Sequence, residues 1–248
     1  MTYCCGILVQ EGLVMIADTR TNAGIDNIST FRKLHVFEKP GQHAMMIATA
    51  GNLSVTQSVL NLVGEGFANP ETRIVERLED MPSMFEAAML IGRAMRRVRQ
   101  LHDANFQQAS ISFEVSFLFG GQIKGRRLRL FMIYAAGNFI ECTQDAPFLQ
   151  IGEHKYGKPI LDRAINYDMS IDDALKIGLI SMDSTINSNL GVGLPIDIAV
   201  ARRDAQQLAI NTRIGNADPY FNGLRESWSL ALRAAHTAIP RPPYGRPA

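Results

Sequence analysis

The sequence predicts an α+β protein, a four-layer αββα sandwich of two stacked antiparallel sheets. Three observations lead there. Strand-like runs rich in β-branched and apolar residues lie at both ends and in the middle of the 248-residue chain. Capped amphipathic helices interrupt them twice, in pairs. The resulting order is sheet, two helices, sheet, two helices, sheet, in which paired helices can cover the outer face of each sheet. A hydrophobic content of 46% over this length is enough to bury a core without covalent staples.

The chain begins inside a sheet, because residues 2–18 form an apolar run broken only at Gln10-Glu11-Gly12, which reads as a hairpin. After a turn at Asn22-Ala23-Gly24, residues 34–38 and 44–50 read as two further strands, closed by Gly51-Asn52. Ser54-Val55-Thr56-Gln57 has capping-box spacing, and Val55, Val59, Leu62 and Val63 follow at helical intervals to about residue 66. A second box, Ser83-Met84-Phe85-Glu86, opens a helix with the apolar face Met84, Ala88, Ile91, Met95 and Val98. Arg93, Arg96, Arg97 and Arg99 crowd its later turns, where cations suit the helix dipole; they read as a solvated face, with a subunit contact as the alternative.

Residues 112–152 return to sheet and read as an antiparallel meander of four strands, from Phe113-Glu114-Val115 to Pro147–Ile151. Helices are expected at 157–166 and 171–185, the second capped by Ser170, then a strand pair around Arg203-Asp204. Asp218-Pro219 opens a last helix to about residue 237, since Asp caps and Pro suits the first helical position. The Pro-rich end cannot continue it and reads as an extended tail. The expected organisation is one domain over 1–217, with the 218–248 helix and tail packed on it.

Lys+Arg 25 against Asp+Glu 24 leaves no basic excess for neutralising phosphates, so nucleic acid is not an expected partner. Cys4, Cys5 and Cys142 are an odd set without CxxC spacing, and His35, His43, His102, His154 and His236 lack HxxxH or HExxH spacing. No cofactor or metal is implied, and packing is the expected role of the cysteines. The start has no signal-peptide pattern and no run is long enough for a membrane span, so a cytoplasmic location is expected.

Met1-Thr2 carries the chemistry. Once Met1 is removed, Thr2 bears a hydroxyl and a free α-amine on adjacent carbons, a nucleophile with its own base, because an α-amine titrates near pH 7.7 to 8. Thr at position two is common and says little alone. Asp18, where a strand of the first hairpin ends, and Lys33, at the start of the next strand, read separately as a turn residue and a surface lysine. Together they could pair, with Asp18 fixing a cation that lowers the proton affinity of Thr2.

Thr2, Asp18-Thr19-Arg20, Lys33 and Thr49-Ala50-Gly51 resemble the active-site series of proteasome β-subunits, which are N-terminal nucleophile hydrolases. Arg20–Gly24, Ile28–Lys33, Ala50–Ser54, Ile151–Leu161, Asp183–Asn189 and Tyr220–Trp228 resemble the bacterial ancestral β-subunit group called Anbu. The blocks span nearly the whole chain in order. The resemblance implies a self-compartmentalising threonine peptidase: Thr2 as nucleophile, Lys33 and Asp18 tuning it, the Gly51 N–H stabilising the oxyanion, and Asp183 and Ser188 holding the amine and a water. It implies that Asn22, Phe31, Thr49 and Leu53 surround the substrate side chain before the scissile bond, which favours neutral or apolar side chains over acidic ones. Expected partners are a peptide or unfolded protein and further copies of the chain, in a ring or open spiral. There is one departure: the family's Gly-Ser-Gly appears as Gly152-Glu153-His154, so Glu153 replaces a serine that faces the amine. The alternatives are a small-amide hydrolase of the same fold and a non-catalytic assembling scaffold.

Overall fold

Strand β1 (Tyr3–Val9) and strand β2 (Gly12–Asp18) are buried along their whole length, and alternation sends their side chains into two separate cores. Cys4 and Leu8 of β1 face one core with Leu13, Met15 and Ala17 of β2, while Tyr3, Cys5, Ile7 and Val9 face the other with Val14 and Ile16. A hairpin covered on both faces explains why this run is apolar without a polar alternate. The computed structural model describes residues 1–22, 28–108 and 113–244, with side chains described for 1–21, 29–101 and 113–244.

Beyond β2 the chain leaves the sheet in a short hairpin, β3 (Arg20–Asn22) with β4 (Ile28–Thr30), and returns as β5 (Leu34–Lys39) and β6 (His43–Gly51). Helix α1 (Leu53–Glu65), a two-residue pair β7 (Phe67–Ala68) and β8 (Val75–Glu76), and helix α2 (Met84–Gln108) follow. The second sheet block contains β9 (Val115–Ile123), β10 (Arg129–Tyr134), β11 (Phe139–Glu141) and β12 (Phe148–Gly152). Then come α3 (Lys158–Ala164), α4 (Ile171–Ser188), β13 (Ile196–Arg202), β14 (Leu208–Ile214) and α5 (Pro219–Ala238).

The strands form two five-stranded antiparallel sheets, ordered β12-β1-β2-β13-β14 and β11-β10-β9-β6-β5. Met46, Ala48, Leu118 and Leu130 of the second sheet meet Cys4, Met15 and Ala199 of the first in the layer between them. Val55, Val59 and Val63 of α1 and the expected α2 stripe Met84, Ala88, Ile91, Met95 and Val98 cover the second sheet. Leu161 of α3 and Ala174, Leu179 and Met182 of α4 cover the first. The four-layer αββα sandwich is therefore the fold. Each fully buried large aliphatic side chain in these layers contributes about 1.5–3 kcal/mol against exposure.

Three local expectations are corrected. Helix α1 is capped by Asn52, whose Oδ1 accepts from the N–H groups of Ser54 and Val55; Ser54 itself lies inside the helix. The four-strand meander stops at three, because β12 crosses to the first sheet and pairs with β1. Its Leu149 and Ile151 belong to the core between the sheets. The arginines of α2 are also less free than a solvated face would have them: Arg93 pairs with Glu76, and Arg96 donates to the Gly137 carbonyl. The last helix begins as expected, with Asp218 Oδ1 accepting from Phe221 N–H at 2.7 Å and Pro219 in its first turn.

Candidate active site around Thr2

Asp18 ends β2 and is fully buried. The chain then makes its β3–β4 excursion and is brought back when Phe31 N–H donates to Thr19 C=O at 2.9 Å. That closure sets Lys33, the residue before β5, directly over Asp18. Lys33 Nζ donates to Asp18 Oδ1 at 2.8 Å and to Arg20 C=O at 2.6 Å, with Met1 C=O at 3.5 Å. Only 5% of Lys33 is exposed, and a buried ammonium of this kind persists only where acceptors replace its lost water. The same Asp18 Oδ1 also accepts from Tyr3 N–H at 3.0 Å. One carboxylate oxygen thus fixes both the lysine and the peptide that follows Thr2. Burial pushes the Asp18 carboxyl up from its ordinary range, opposed by the Lys33 charge and by the hydrogen bonds from Lys33 and Tyr3.

Thr2 is fixed from the other side by β12. Its carbonyl accepts from Glu153 N–H at 2.7 Å, and Gly152 passes so close that a Cβ there would lie 2.0 Å from that oxygen. Gly152 also has φ +80°, so only glycine fits without strain. Below, Tyr3 anchors β1 through its hydroxyl, which meets Ser181 Oγ of α4 and Gln150 Nε2 of β12, both at 2.5 Å. A buried tyrosine needs such partners.

Gly51 closes β6 with φ +106°, and a Cβ there would lie 2.0 Å from the Glu114 carbonyl oxygen. Asn52 N–H donates to that oxygen at 3.0 Å, whereas Thr49 N–H donates the opposite way, to Lys33 C=O at 2.9 Å. Alternation along the strand aims Gly51 N–H in the same direction as that of Thr49, past Lys33 and the start of β5. Gly51 and Lys33 both line the cavity.

The cavity holds about 620 Å³ and is lined by Met1, Thr2, Thr21, Lys33, Thr49, Ala50, Gly51, Leu53, Thr56, Glu114 and residues 152–155. It brings together Thr2, Lys33, Gly51, Thr49 and Leu53 of the residues singled out in the sequence, with Asp18 beneath Lys33. It does not include Asp183, Ser188 or Phe31. Asp183, on α4, is buried and accepts from Arg225 Nε of α5 at 2.6 Å; it borders a separate cleft between these helices. Ser188 is exposed at the end of α4, and Phe31 is 38% exposed. The Asn22 side chain lies outside those described. Glu114, Thr21 and Thr56 line the cavity without having been singled out. Thr56 had a usable signal: with the cap at Asn52, Leu53 and Thr56 are i and i+3 on one helix face.

Residues 2–201 match the family described as proteasome subunit. The chain belongs to the proteasome family, within its Anbu group. An Anbu (Gly-1) mutant from Hyphomicrobium sp. strain MC1 is 45% identical with a TM-score of 0.87, covering 97% of this chain and 99% of that one. Anbu from Yersinia bercovieri is 44% identical with the same TM-score and the same two coverages. The helical assembly of the Anbu complex from Pseudomonas aeruginosa is 42% identical, with a TM-score of 0.90 over 99% of this chain and all of that one. A proteasome subunit beta of Haloquadratum walsbyi is 25% identical over 210 residues, 84% of this chain and 76% of that one. The Anbu fold and the stacked-sheet architecture read from the sequence agree with these relatives. Among the described residues, no helix is long and apolar enough to cross a membrane.

Proposed function

We propose that this Anbu chain is a threonine peptidase subunit, with Thr2 as nucleophile once Met1 is removed. The observation that carries the reading is the double use of Asp18 Oδ1, which holds both Lys33 Nζ and the Tyr3 N–H beside Thr2. Thr2 Oγ1 attacks a peptide carbonyl carbon while its proton passes to the neutral α-amine. Lys33 lowers the hydroxyl's proton affinity, and the Gly51 N–H, next to the N-terminus of α1, favours the oxyanion. The amine returns the proton to the leaving peptide nitrogen, leaving an acyl ester on Thr2. Water then attacks the ester and regenerates the hydroxyl. Thr49 and Leu53, with Thr21 and Thr56, form a neutral wall that favours neutral or apolar side chains over acidic ones.

Intact-mass spectrometry of the Met1-free protein after incubation with a peptide epoxyketone or β-lactone tests this reading. One adduct per chain is expected, absent in Thr2→Ala. Labelling of Thr2→Ala, or an unlabelled wild type, removes the reading.

Self-assembly is part of the proposal. It is supported by the helical assembly of the Pseudomonas aeruginosa relative and by an apolar groove between α4 and α5 lined by Ile180, Pro219, Leu224 and Trp228. Light scattering that gives only a 27.4 kDa species at micromolar concentration would contradict it. A second reading, an assembling scaffold with an idle site, draws support from Asp183 and Ser188 not being among the residues that line the cavity.

A further inference from the structure

Glu153 is a buried carboxylate, 7% exposed, in the wall of the Thr2 cavity. Its backbone N–H holds the Thr2 carbonyl, so its side chain starts beside the nucleophile. That carboxylate is thinly compensated. Oε2 accepts from the neutral amide of Asn189 at 3.1 Å, while the Lys155 ammonium lies 3.7 Å from Oε1, beyond hydrogen-bond distance, on a side chain 73% exposed. A charge so far out of water calls for a better cation.

Met1 lines the same cavity as Glu153. A Cβ on Gly191 would be 2.6 Å from Met1 Cβ, so Met1 rests on the 189–191 loop. Asn189 ties this loop together: Oδ1 accepts from Gly191 N–H at 2.9 Å, while its Nδ2 donates to Glu153. Removal of Met1 clears the space beside this loop and leaves an α-amine at its edge.

We propose that Glu153 is a positioning residue whose carboxylate receives the Thr2 α-ammonium and sets the pH at which that amine becomes a base. The inference rests on the reading of Thr2 as an N-terminal nucleophile. The groups around the amine divide by sign. Lys33 before β5, Arg20 in β3 facing the 190–193 loop, and Lys155 after β12 lower its proton affinity, and the His154 ring also lines the cavity. Asp18 at the end of β2, Glu114 before β9 and Glu153 raise it. Glu153 therefore opposes Lys33: it holds the amine in place at the cost of keeping it protonated to higher pH.

The test uses protein released by cleavage of an N-terminal fusion so that it begins at Thr2, with threonine methyl groups carrying 13C. The Thr2 methyl resonance, assigned with Thr2→Ser, is titrated in wild type, Glu153→Gln and Glu153→Asp, and β-lactone labelling rates are taken over the same pH range. Gln keeps an acceptor for Asn189 and removes the charge. Its amine midpoint should fall by about one pH unit, with the labelling profile moving down equally. Asp should retain part of the raised midpoint. An unchanged midpoint in Glu153→Gln overturns the proposal. A lowered midpoint in a protein whose wild type never labels upholds the Glu153 contact and removes the peptidase reading instead.

Discussion

The two ends of the chain are built on opposite principles. At the N-terminus, Thr2 is held by Glu153 N–H, Tyr3 by Asp18 and Ser181, and Lys33 by Asp18 and Arg20 C=O, with Tyr3, Asp18, Lys33 and Ser181 buried. At the C-terminus, α5 docks by its first turns only. Phe221 is fully buried against α4 and Arg225 reaches Asp183, yet every residue of 229–238 is exposed, with Leu230 at 63% and Leu232 at 51%. The hydrogen bonds that hold the first region all lie within the chain. The second presents apolar surface that the subunit does not use, as expected of an element that meets another copy.

Breaking the N-terminal region should have the largest effect. Asp18→Ala leaves the buried Lys33 ammonium without its carboxylate and frees the Tyr3 N–H, and should lower stability by about 3 kcal/mol, read from the urea midpoint. A change under about 0.5 kcal/mol would mean that the pair is solvated. Arg225→Ala strips Asp183 of its partner but can admit water along the helix cleft, so a smaller loss of about 2 kcal/mol is expected. It should be accompanied by faster amide exchange in α5 and unchanged exchange in β1. Equal acceleration in both would erase the distinction between the two ends.

The sequence was informative where a residue's neighbours are local. The β1–β2 hairpin and the α2 stripe are legible because an apolar run broken at Gln10-Glu11-Gly12 and a helical spacing are both local patterns. Ser54 and Asn52 both suit a cap of α1, and only the hydrogen bonds that Asn52 accepts decide between them. The crossing of β12 depends on pairing with β1, where Ile151 meets Cys4 from 147 residues away, and sequential strands are more often neighbours. That Thr2, Asp18 and Lys33 lie together follows from the resemblance and not from spacing, since the β3–β4 excursion that closes the gap has no periodic signal. The resemblance implies that Asp183 holds the amine, whereas Arg225, 42 residues later, takes its carboxylate through the docking of α5. No local pattern announces that contact.

The C-terminal region should respond differently. Leu230→Asp and Leu232→Asp alter exposed positions and should shift stability by less than about 0.5 kcal/mol, while lowering the assembled fraction seen by light scattering. Intact assemblies in both variants would take α5 out of the contact surface. The smallest effect concerns the thiols. Burial pushes Cys5 and Cys142 up to about 12, so at pH 8 only about one thiol in ten thousand is a thiolate. Iodoacetamide at pH 8 should leave both unmodified until the protein is unfolded. Rapid alkylation of the folded chain would show a looser core and would complicate covalent labelling at Thr2.

The central claim is that Asp18 and Lys33 act as one device beneath Thr2, and a double-mutant cycle on β-lactone labelling rate against pH tests it most directly. Lys33→Ala should slow labelling and move the residual rate to higher pH, because the cation that favours the deprotonated hydroxyl and amine is gone. Asp18→Ala should come close to the same loss. The double variant should be little slower than either single one, as expected when two residues work through each other. Losses that multiply in the double variant, or wild-type rates in the single ones, would contradict the account.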